Sequence, residues 1–491
     1  QNLALMFFFF VCPILIQYTI MQKYCKDLYD RCYGKHMSRT LVPISFRISL
    51  LKLLLSSLES HKEDICDALH ADLHKSTGEA LLTEYLPCRE DLRDAISNLK
   101  EWVKPRSLKT PIFLKPKCKA ALSPEPIGPV FVISPWNYPF SLAFIPVIGA
   151  IASGNPVVLK ASTQTENTTK ILREVFRAID VPVVEGDSKY ATELLKYRWA
   201  HIFYTGGPRV ARTIYSEAAK HLTPVSLELG GKSPCIVSNK ADINKIAKRI
   251  VFGKFSNAGQ TCVAPDYIVV VASVAKELVT KIQEVLKQFY SAEPSKLDSG
   301  FGHVVSKRRY DHLCQLIATS KREHDEDSVT YTGSVACDPA IKFIAPHIVF
   351  PCAPDSCLLK EEIFGPILPV VCVDSFEAAI DFVCRDMKAS YEAKPLAVYL
   401  FTNDPKEMTK AKVIPGGSFV VNECNVQAGM SSIPFGGIGE SGIGGYHGKW
   451  SFDTFSHLRP TVVRYGRIEL DKGVRYPPYN AKKIKMLEKT M

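Results

Sequence analysis

No two of the fifteen cysteines form a Cys-x-x-Cys pair, and none lies in a Cys/His cluster at zinc spacing. That excludes a disulfide framework and a structural zinc site, and no bound metal is expected. Scattered cysteines suit a reducing, intracellular compartment, and each is by default a small buried hydrophobe. The apolar N-terminal run, residues 3–16 (LALMFFFFVCPILI), falls short of the roughly 18–20 residues of a confident membrane-spanning helix and is interrupted by Pro13. It lacks the charged lead and small-residue cleavage site of a signal peptide, and Lys23, Lys26, Arg31 and Lys35 follow it. Two readings of residues 1–20 stay open: an anchor on a cytoplasmic membrane face, or a partial or misassigned terminus of a cytoplasmic protein. A dense block of one charge is missing too. The net charge of +11 is spread along the chain, and the most basic stretch, Lys482, Lys483 and Lys485, has no interleaved aromatics, which excludes nucleic acid as a partner. A modest positive surplus suits a phosphate-bearing cofactor or an anionic membrane surface.

What is present is a long chain of two or three domains. Its 491 residues, 46% hydrophobic, exceed the roughly 250–300 at which single cores split. Apolar residues recur at helical spacing between Ser45 and His74 (Phe46, Ile48, Leu51, Leu54, Leu55, Leu58), then through Leu92, Ala95, Ile96 and Leu99. Residues 105–126 are punctuated by Pro and Lys, and short alternation near Ile112 to Leu114 predicts an extended hairpin. From Gly128 buried strands alternate with helices: VFVIS (130–134), PVVLK (156–160), HIFYTG (201–206) and CIVS (235–238). Such β-branched runs, separated by helix-length segments, predict a doubly wound, Rossmann-like parallel sheet. A second alternation after Glu228, through DYIVVVA (266–272), ILPVVCV (367–373) and LAVYLF (396–401), predicts a second α/β domain.

Three segments carry chemistry. In FSNAGQTC (255–262) small and polar residues close on Cys262, and a Gly/Thr-rich turn offers backbone N–H groups to a thiolate and room for a substrate. In SLELGGKSP (226–234) Glu228 ends an apolar strand beside Gly-Gly, where it is either a base or an ordinary turn residue. In SPWNYP (134–139) a Pro-bracketed turn carries Asn137, whose amide is either structural or a donor to an oxyanion.

Together these segments resemble the aldehyde dehydrogenase superfamily from about Met21 to Arg459. PWNYP, ELGGKSP, GQTC, EEIFGP (361–366) and PFGGIGESGIG (434–444) stand in that family's order, and YHGKWSFDTFSH (446–457) with APDY (264–267) looks like its class 3, or fatty-aldehyde, branch. The resemblance implies that Cys262 attacks the aldehyde, that Asn137 and the Cys262 N–H hold the oxyanion, and that Glu228 activates the water that hydrolyses the thioester. For NAD or NADP it implies Ser134, Trp136, Lys160, Gly206, Gly207, Val210, Leu229, Glu362 and Phe364, with TGGPRVA (205–211) opening the phosphate-side helix. The implied domains are 21–104 with 128–228 for NAD(P), 229–432 for catalysis, bridging segments 105–127 and 433–465 that join a homodimer, and a tail, 466–491. The expected reaction is oxidation of a medium or long aliphatic aldehyde to its acid. A catalytically silent relative is the competing reading, and retention of Cys262, Glu228 and Asn137 together argues against it.

The chain departs from the family in four places. After Lys160 it has Ala161, Ser162 and Thr163 where the family has Pro-Ser-Glu, and loss of that carboxylate relaxes discrimination against the 2′-phosphate of NADP, with Arg209 as a helper. The connection 178–182 is short, and Ala211 replaces a usual glycine. The C-terminus is polar and basic rather than a hydrophobic tail.

Overall fold

Strands buried on both faces need nearly continuous apolar sequence, and the predicted runs are of that kind. In the computed structural model, which describes residues 2–110, 118–296, 299–389, 394–465 and 476–490, they form two parallel sheets; of the side chains of 2–16, 326, 386–389 and 489–490 nothing is described. The first sheet has the order Gly442–Ile443, Val225–Glu228, His201–Thr205, Val130–Ile133, Val157–Lys160, Val183–Val184, parallel except for its first member. The chain starts at Val130–Ile133, winds outward through Val157–Lys160, then returns to the other side at His201–Thr205. Strand order therefore reverses between Val130–Ile133 and His201–Thr205, the place where open α/β sheets open a crevice for a ligand.

The second sheet has the order Val329–Tyr331, His347–Val349, Ile367–Val373, Tyr267–Val271, Pro234–Val237, Ala397–Phe401, Ser418–Val421, again parallel apart from one edge. The CIVS run, grouped by pattern with the first set of strands, lies at the centre of this second sheet instead. Five residues, 229–233, carry the chain across, and Gly231 (φ +145°) makes the turn with a backbone that side chains rarely adopt. Because the chain leaves one sheet at a C-terminal strand end and enters the next at an N-terminal one, these two edges face each other. The loops before Tyr267–Val271 and Ile367–Val373 lie along the same edge.

The helical periodicity of residues 45–74 resolves into two helices, Ile44–Ser60 and Lys62–Leu73, broken at His61. Phe46 is exposed although it fits the period. Its neighbour Arg47 is buried instead, donating to the carbonyls of Ala152 (2.8 Å) and Val42 (2.9 Å), because the last turn of the apolar helix Ser141–Ala152 leaves carbonyls without intrahelical donors. A three-stranded antiparallel sheet pairs Cys118–Pro126 with both Arg106–Leu108 and Ser456–Arg464. The alternation at Ile112 to Leu114 lies outside the described residues.

Asn2–Met37 is one helix, and Met21, Cys25, Leu28 and Cys32 on one face of it pack against the first sheet beside Phe131 and Trp199. Arg31 and Lys35 of this helix both pair with Asp180. No helix among the described residues is long and apolar enough to cross a membrane.

Candidate active site

The loop after Val130–Ile133 brings Asn137 to the facing edges. Asn137 is buried, its Nδ2 donates to the Gln260 carbonyl (3.0 Å), and its own carbonyl accepts from Lys75 Nζ (3.1 Å) and Asn257 Nδ2 (2.7 Å). Its second amide hydrogen has no partner among the described residues. Lys75 is wholly buried, pairs with Glu84 (2.5 Å) and stands 3.9 Å over the Tyr138 ring, while the other Glu84 oxygen accepts from the N–H groups of Phe140 and Ser141 (both 3.0 Å) at the start of Ser141–Ala152. This pair locks the Asn137 loop to the framework helices. No motif marks it, since a lysine and a glutamate nine positions apart read as solvated charges. Lys75→Met should lower unfolding free energy by about 3–5 kcal/mol because Glu84 stays buried and unpaired, and Glu84→Gln in the same chain should recover part of it. Denaturant titration of both variants checks this; an unaltered midpoint for Lys75→Met would count against the buried pair.

Cys262 arrives on a strained turn. Asn257 (φ 53°), Ala258 (φ 51°) and Gly259 (φ 74°) are successively left-handed, a conformation that costs about 1–2 kcal/mol for alanine. The turn persists because its surroundings hold it. Glu79 accepts from the Asn257 N–H (2.5 Å), and the Gln260 side chain spends its donors on the carbonyls of Asn257 and His303 and its oxygen on the Val305 N–H, all at 3.0 Å. A side chain on Gly259 would come 2.3 Å from the Gly365 carbonyl, so this turn packs directly on the 361–366 loop. Cys262 itself is half-buried, and the N–H groups of Cys262 and Val263 reach its sulfur. Burial first, then the carboxyls of Glu362 and Glu228, push the thiol up to about 12. The resting group is a thiol, so it needs a base.

Glu228 ends its strand almost wholly buried, with no hydrogen-bond partner for either carboxylate oxygen among the described residues, and burial pushes it well above the usual carboxylate range. Glu362 accepts from the Gly231 N–H (3.0 Å) and is raised to about 8 by burial and by Asp266. It lies so close to Gly230 that a side chain there would come 2.4 Å from its Oε1. Lys232 bonds Asp266 (2.5 Å) and the carbonyls of Leu358 and Glu361, and Arg309 holds those of Ile363 (2.8 Å) and Phe364 (3.2 Å). These two cations fix the 361–366 loop, and pattern reading passed over both. Phe364, left-handed at φ 50°, meets Trp136 edge-to-face at 5.4 Å.

The other expected cofactor residues gather at the strand-order reversal. Ser134 and Thr205 follow or end its two strands, and their buried hydroxyls have no partner among the described residues. Gly206 could not carry a side chain, which would come 2.2 Å from the Tyr204 hydroxyl, and nothing lies within 4 Å of that position on Gly207. Helix Pro208–Ala219 then starts with no side chain capping its first N–H groups, Val210 and Arg209 are exposed beside it, and Leu229 is buried on the adjoining strand end. Lys160 ends its own strand, with Nζ on the Ala161 carbonyl (2.6 Å) and its affinity for a proton lowered by burial. Orphan hydroxyls, an open helix N-terminus and a carboxyl near the thiol fit a dinucleotide. Among the described residues no group of three or more His, Cys, Asp or Glu is placed to hold a metal ion.

This constellation has relatives, for residues 35–460 match the model of the aldehyde dehydrogenase family. The chain belongs to that family. The dimeric NADP-preferring aldehyde dehydrogenase of Canis lupus familiaris is 40% identical over 447 residues, covering 90% of this chain and 94% of that one. Aldehyde dehydrogenase family 3 member A2 of Pongo abelii is 38% identical, covering 90% and 89%. A substrate-bound Staphylococcus aureus AldH structure matches with a TM-score of 0.88 at 35% identity, covering 94% of this chain and 98% of that one. This protein is thus an NAD(P)-dependent aldehyde dehydrogenase of the class 3 branch, which oxidises an aldehyde to a carboxylic acid with NAD or NADP.

In this aldehyde dehydrogenase residues 423–432 reach the Cys262 turn through Tyr399. The Tyr399 hydroxyl donates to the Val263 carbonyl (2.6 Å), and Gln427 Nε2 donates to that hydroxyl (3.0 Å). Val426 and Met430, the two apolar groups of the segment, are exposed at 45% and 43%.

Proposed function

We propose that Cys262 is the nucleophile, Glu228 the general base and Asn137 a donor to the oxyanion, and that the substrate is a medium or long aliphatic aldehyde. The observation that carries this reading is a half-buried thiol with two backbone N–H groups at its sulfur and the carboxyls of Glu228 and Glu362 within electrostatic reach. A carboxyl raised as far as Glu228 is closer in affinity to the thiol, so proton transfer from sulfur is less uphill than to an ordinary carboxylate. Attack of sulfur on the carbonyl carbon places the new oxyanion between the free Asn137 amide hydrogen and the Cys262 N–H. Ser134, Trp136, Lys160, Gly206, Gly207, Val210, Leu229, Glu362 and Phe364 would hold the cofactor, whose nicotinamide, when bound, accepts the hydride that turns thiohemiacetal into thioester. Glu228 then takes a proton from water as that water attacks the thioester. Esterase activity through Cys262 follows, since hydrolysis itself needs no cofactor. In this reading residues 21–104 and 128–228 form the main cofactor-binding unit and 229–432 supply the nucleophile.

Ala161, Ser162 and Thr163 present no carboxylate to a 2′-phosphate, so NADP should serve as well as NAD. The NADP-preferring name of the canine relative supports this. A homodimer is supported by that relative's name and by Ser456–Arg464, a sheet-edge strand that exposes Val462 and Val463. The apolar run 3–16 and the lysines after it support attachment to a membrane surface. The deciding experiment follows reduced cofactor with saturated aldehydes of increasing length, using NAD and NADP in parallel. Catalytic efficiency should climb with chain length and be similar for both cofactors. A maximum at short aromatic aldehydes would overturn the aliphatic assignment, and an NADP efficiency far below that with NAD would overturn the cofactor reading.

A further inference from the structure

Glu228 has a problem that the chemistry above creates. During acylation it receives the thiol proton, and it must lose that proton before it can serve as base for water, yet it is only 2% exposed. Three buried polar groups in its vicinity have oxygens without a partner among the described residues: both oxygens of Glu228, the Tyr446 hydroxyl and Oδ1 of Asp91. Each such atom costs about 1–3 kcal/mol unless water satisfies it, so a cluster of them calls for an explanation.

One short stretch of backbone links all three. Gly442 pairs with Glu228 in the sheet, and a side chain on Gly444 would come 3.0 Å from Ser226 Oγ. Tyr446 follows, tied to Phe435 by both backbone bonds (3.0 and 2.9 Å). Next, the Gly448 N–H donates to Asp91 Oδ2 (2.9 Å), and a side chain on Gly448 would come 3.0 Å from Asp94 Oδ2. Tyr446 lies within electrostatic reach of both Glu228 and Asp91, and Asp91 within reach of Asp94. Tyr446 is fully buried with its ring against Phe203 (5.0 Å) and Phe435 (5.9 Å), so packing alone would be served by phenylalanine. Asp91 and Asp94 are neighbours one turn apart on helix Leu86–Trp102, the first buried and the second partly exposed.

We propose that Tyr446 and Asp91 empty Glu228 between acylation and hydrolysis, passing its proton through buried water to solvent at Asp94; this rests on the reading of Glu228 as the base. The Tyr446 oxygen accepts a proton from the Glu228 side while its own hydroxyl proton passes to the Asp91 carboxylate, so tyrosine and Glu228 end in the states from which hydrolysis starts. The proton that leaves is the one first taken from the Cys262 thiol. Burial pushes Asp91 up to about 7, which lets it take up and release a proton near neutrality. The other titratable groups facing this path are Cys88, Cys262, Glu362, His201 and His447. Burial lowers both histidines to about 4, so neither places a cation there at neutral pH.

Tyr446→Phe and Asp91→Asn are compared with the parent by stopped-flow and steady-state formation of reduced cofactor across pH, in water and deuterium oxide. The expected result is an unchanged first-turnover burst and kcat/KM, a steady rate about tenfold to a hundredfold lower with KM falling alongside it, and a larger solvent isotope effect on that rate. The acid limb of the steady-state pH profile should also move. A merely structural tyrosine would leave the isotope effect and the limb in place. Parental turnover and pH profile in Tyr446→Phe, with cofactor bound and the thermal midpoint unchanged, overturn the relay. Glu228→Gln run alongside separates the two readings. If it stalls after the burst while Tyr446→Phe turns over like the parent, the relay alone falls; if it keeps full turnover, the base assignment falls first.

Discussion

Cys262→Ala should form no measurable NADH or NADPH from any aldehyde, a loss of about 10⁵-fold or more in kcat, the scale seen when a covalent nucleophile is removed from a working group. Without sulfur no adduct forms, and an unactivated or hydrated aldehyde is a poor hydride donor beside a thiohemiacetal with a developed oxyanion. Neither Cys424 nor Cys235, both buried, can substitute. Cys424, the buried thiol beneath Gly253 where an added side chain would come 2.5 Å from its Cβ, has no approach for a carbonyl, and Cys235 is buried within the central strand of the second sheet. Cofactor binding, followed by fluorescence, should survive, because the orphan hydroxyls and helix N-terminus belong to the other sheet. Residual dehydrogenase activity within about a hundredfold of the parent would move the nucleophile elsewhere.

Glu228→Gln should separate the two halves of the reaction. An amide of similar size keeps the packing but accepts no proton at neutral pH, so water attack on the thioester loses its base and the steady rate should fall by about 10²- to 10⁴-fold. Acylation needs the thiolate only once per turnover and can borrow solvent base at higher pH, so one equivalent of reduced cofactor per site should still appear as a burst. The acyl-enzyme should then be visible by intact mass. The pH dependence has a definite sign. Glu228 is raised in the folded protein, so it is protonated and idle at low pH, and parental turnover should increase as pH rises through its raised value. Linear product formation from the first turnover in Glu228→Gln would remove it from the hydrolytic step.

Stability should follow the same buried carboxyls with the opposite trend. Asp91 at about 7 and Glu362 at about 8 bind protons more tightly folded than unfolded, so they favour folding below the ordinary carboxylate range and lose that contribution as pH rises through 7 and 8. A thermal midpoint that falls as pH rises from about 5 to about 8 and then levels off is the expected record.

Much of this was legible before any fold was known. Continuous β-branched runs such as IVVV and VVL can only be satisfied between covered faces, and so they announce a parallel sheet wherever they stand in the chain. Cys262, Asn137 and Glu228 were legible for a different reason. Each sits in a local setting of glycines, prolines and small polar residues that packing alone does not demand. Lys75, Glu84, Lys232, Arg309 and Tyr446 have no such setting. A lone lysine or tyrosine looks the same in sequence whether it is solvated or buried, and what makes these five consequential is a partner 9 to 218 positions away. Phe46 and Arg47 show the same limit inside a helix, where the period names a face but cannot tell which end carbonyls need a donor.

By itself, then, the sequence determined the α/β architecture, and it pointed to Cys262 and the company in which to look for a base, because these depend on periodicity and on short-range backbone freedom. Only the tertiary structure decided that the C-terminal edge of one sheet faces the N-terminal edge of the other, which strand crosses between them, and which buried charges hold the Asn137 and Cys262 loops. Those depend on long-range contacts, and the thiol's raised affinity for its proton is the clearest case. Cys262 is pushed to about 12 by burial and by two carboxyls that stand 34 residues before it and 100 after it, and nothing in its own neighbourhood along the chain records either.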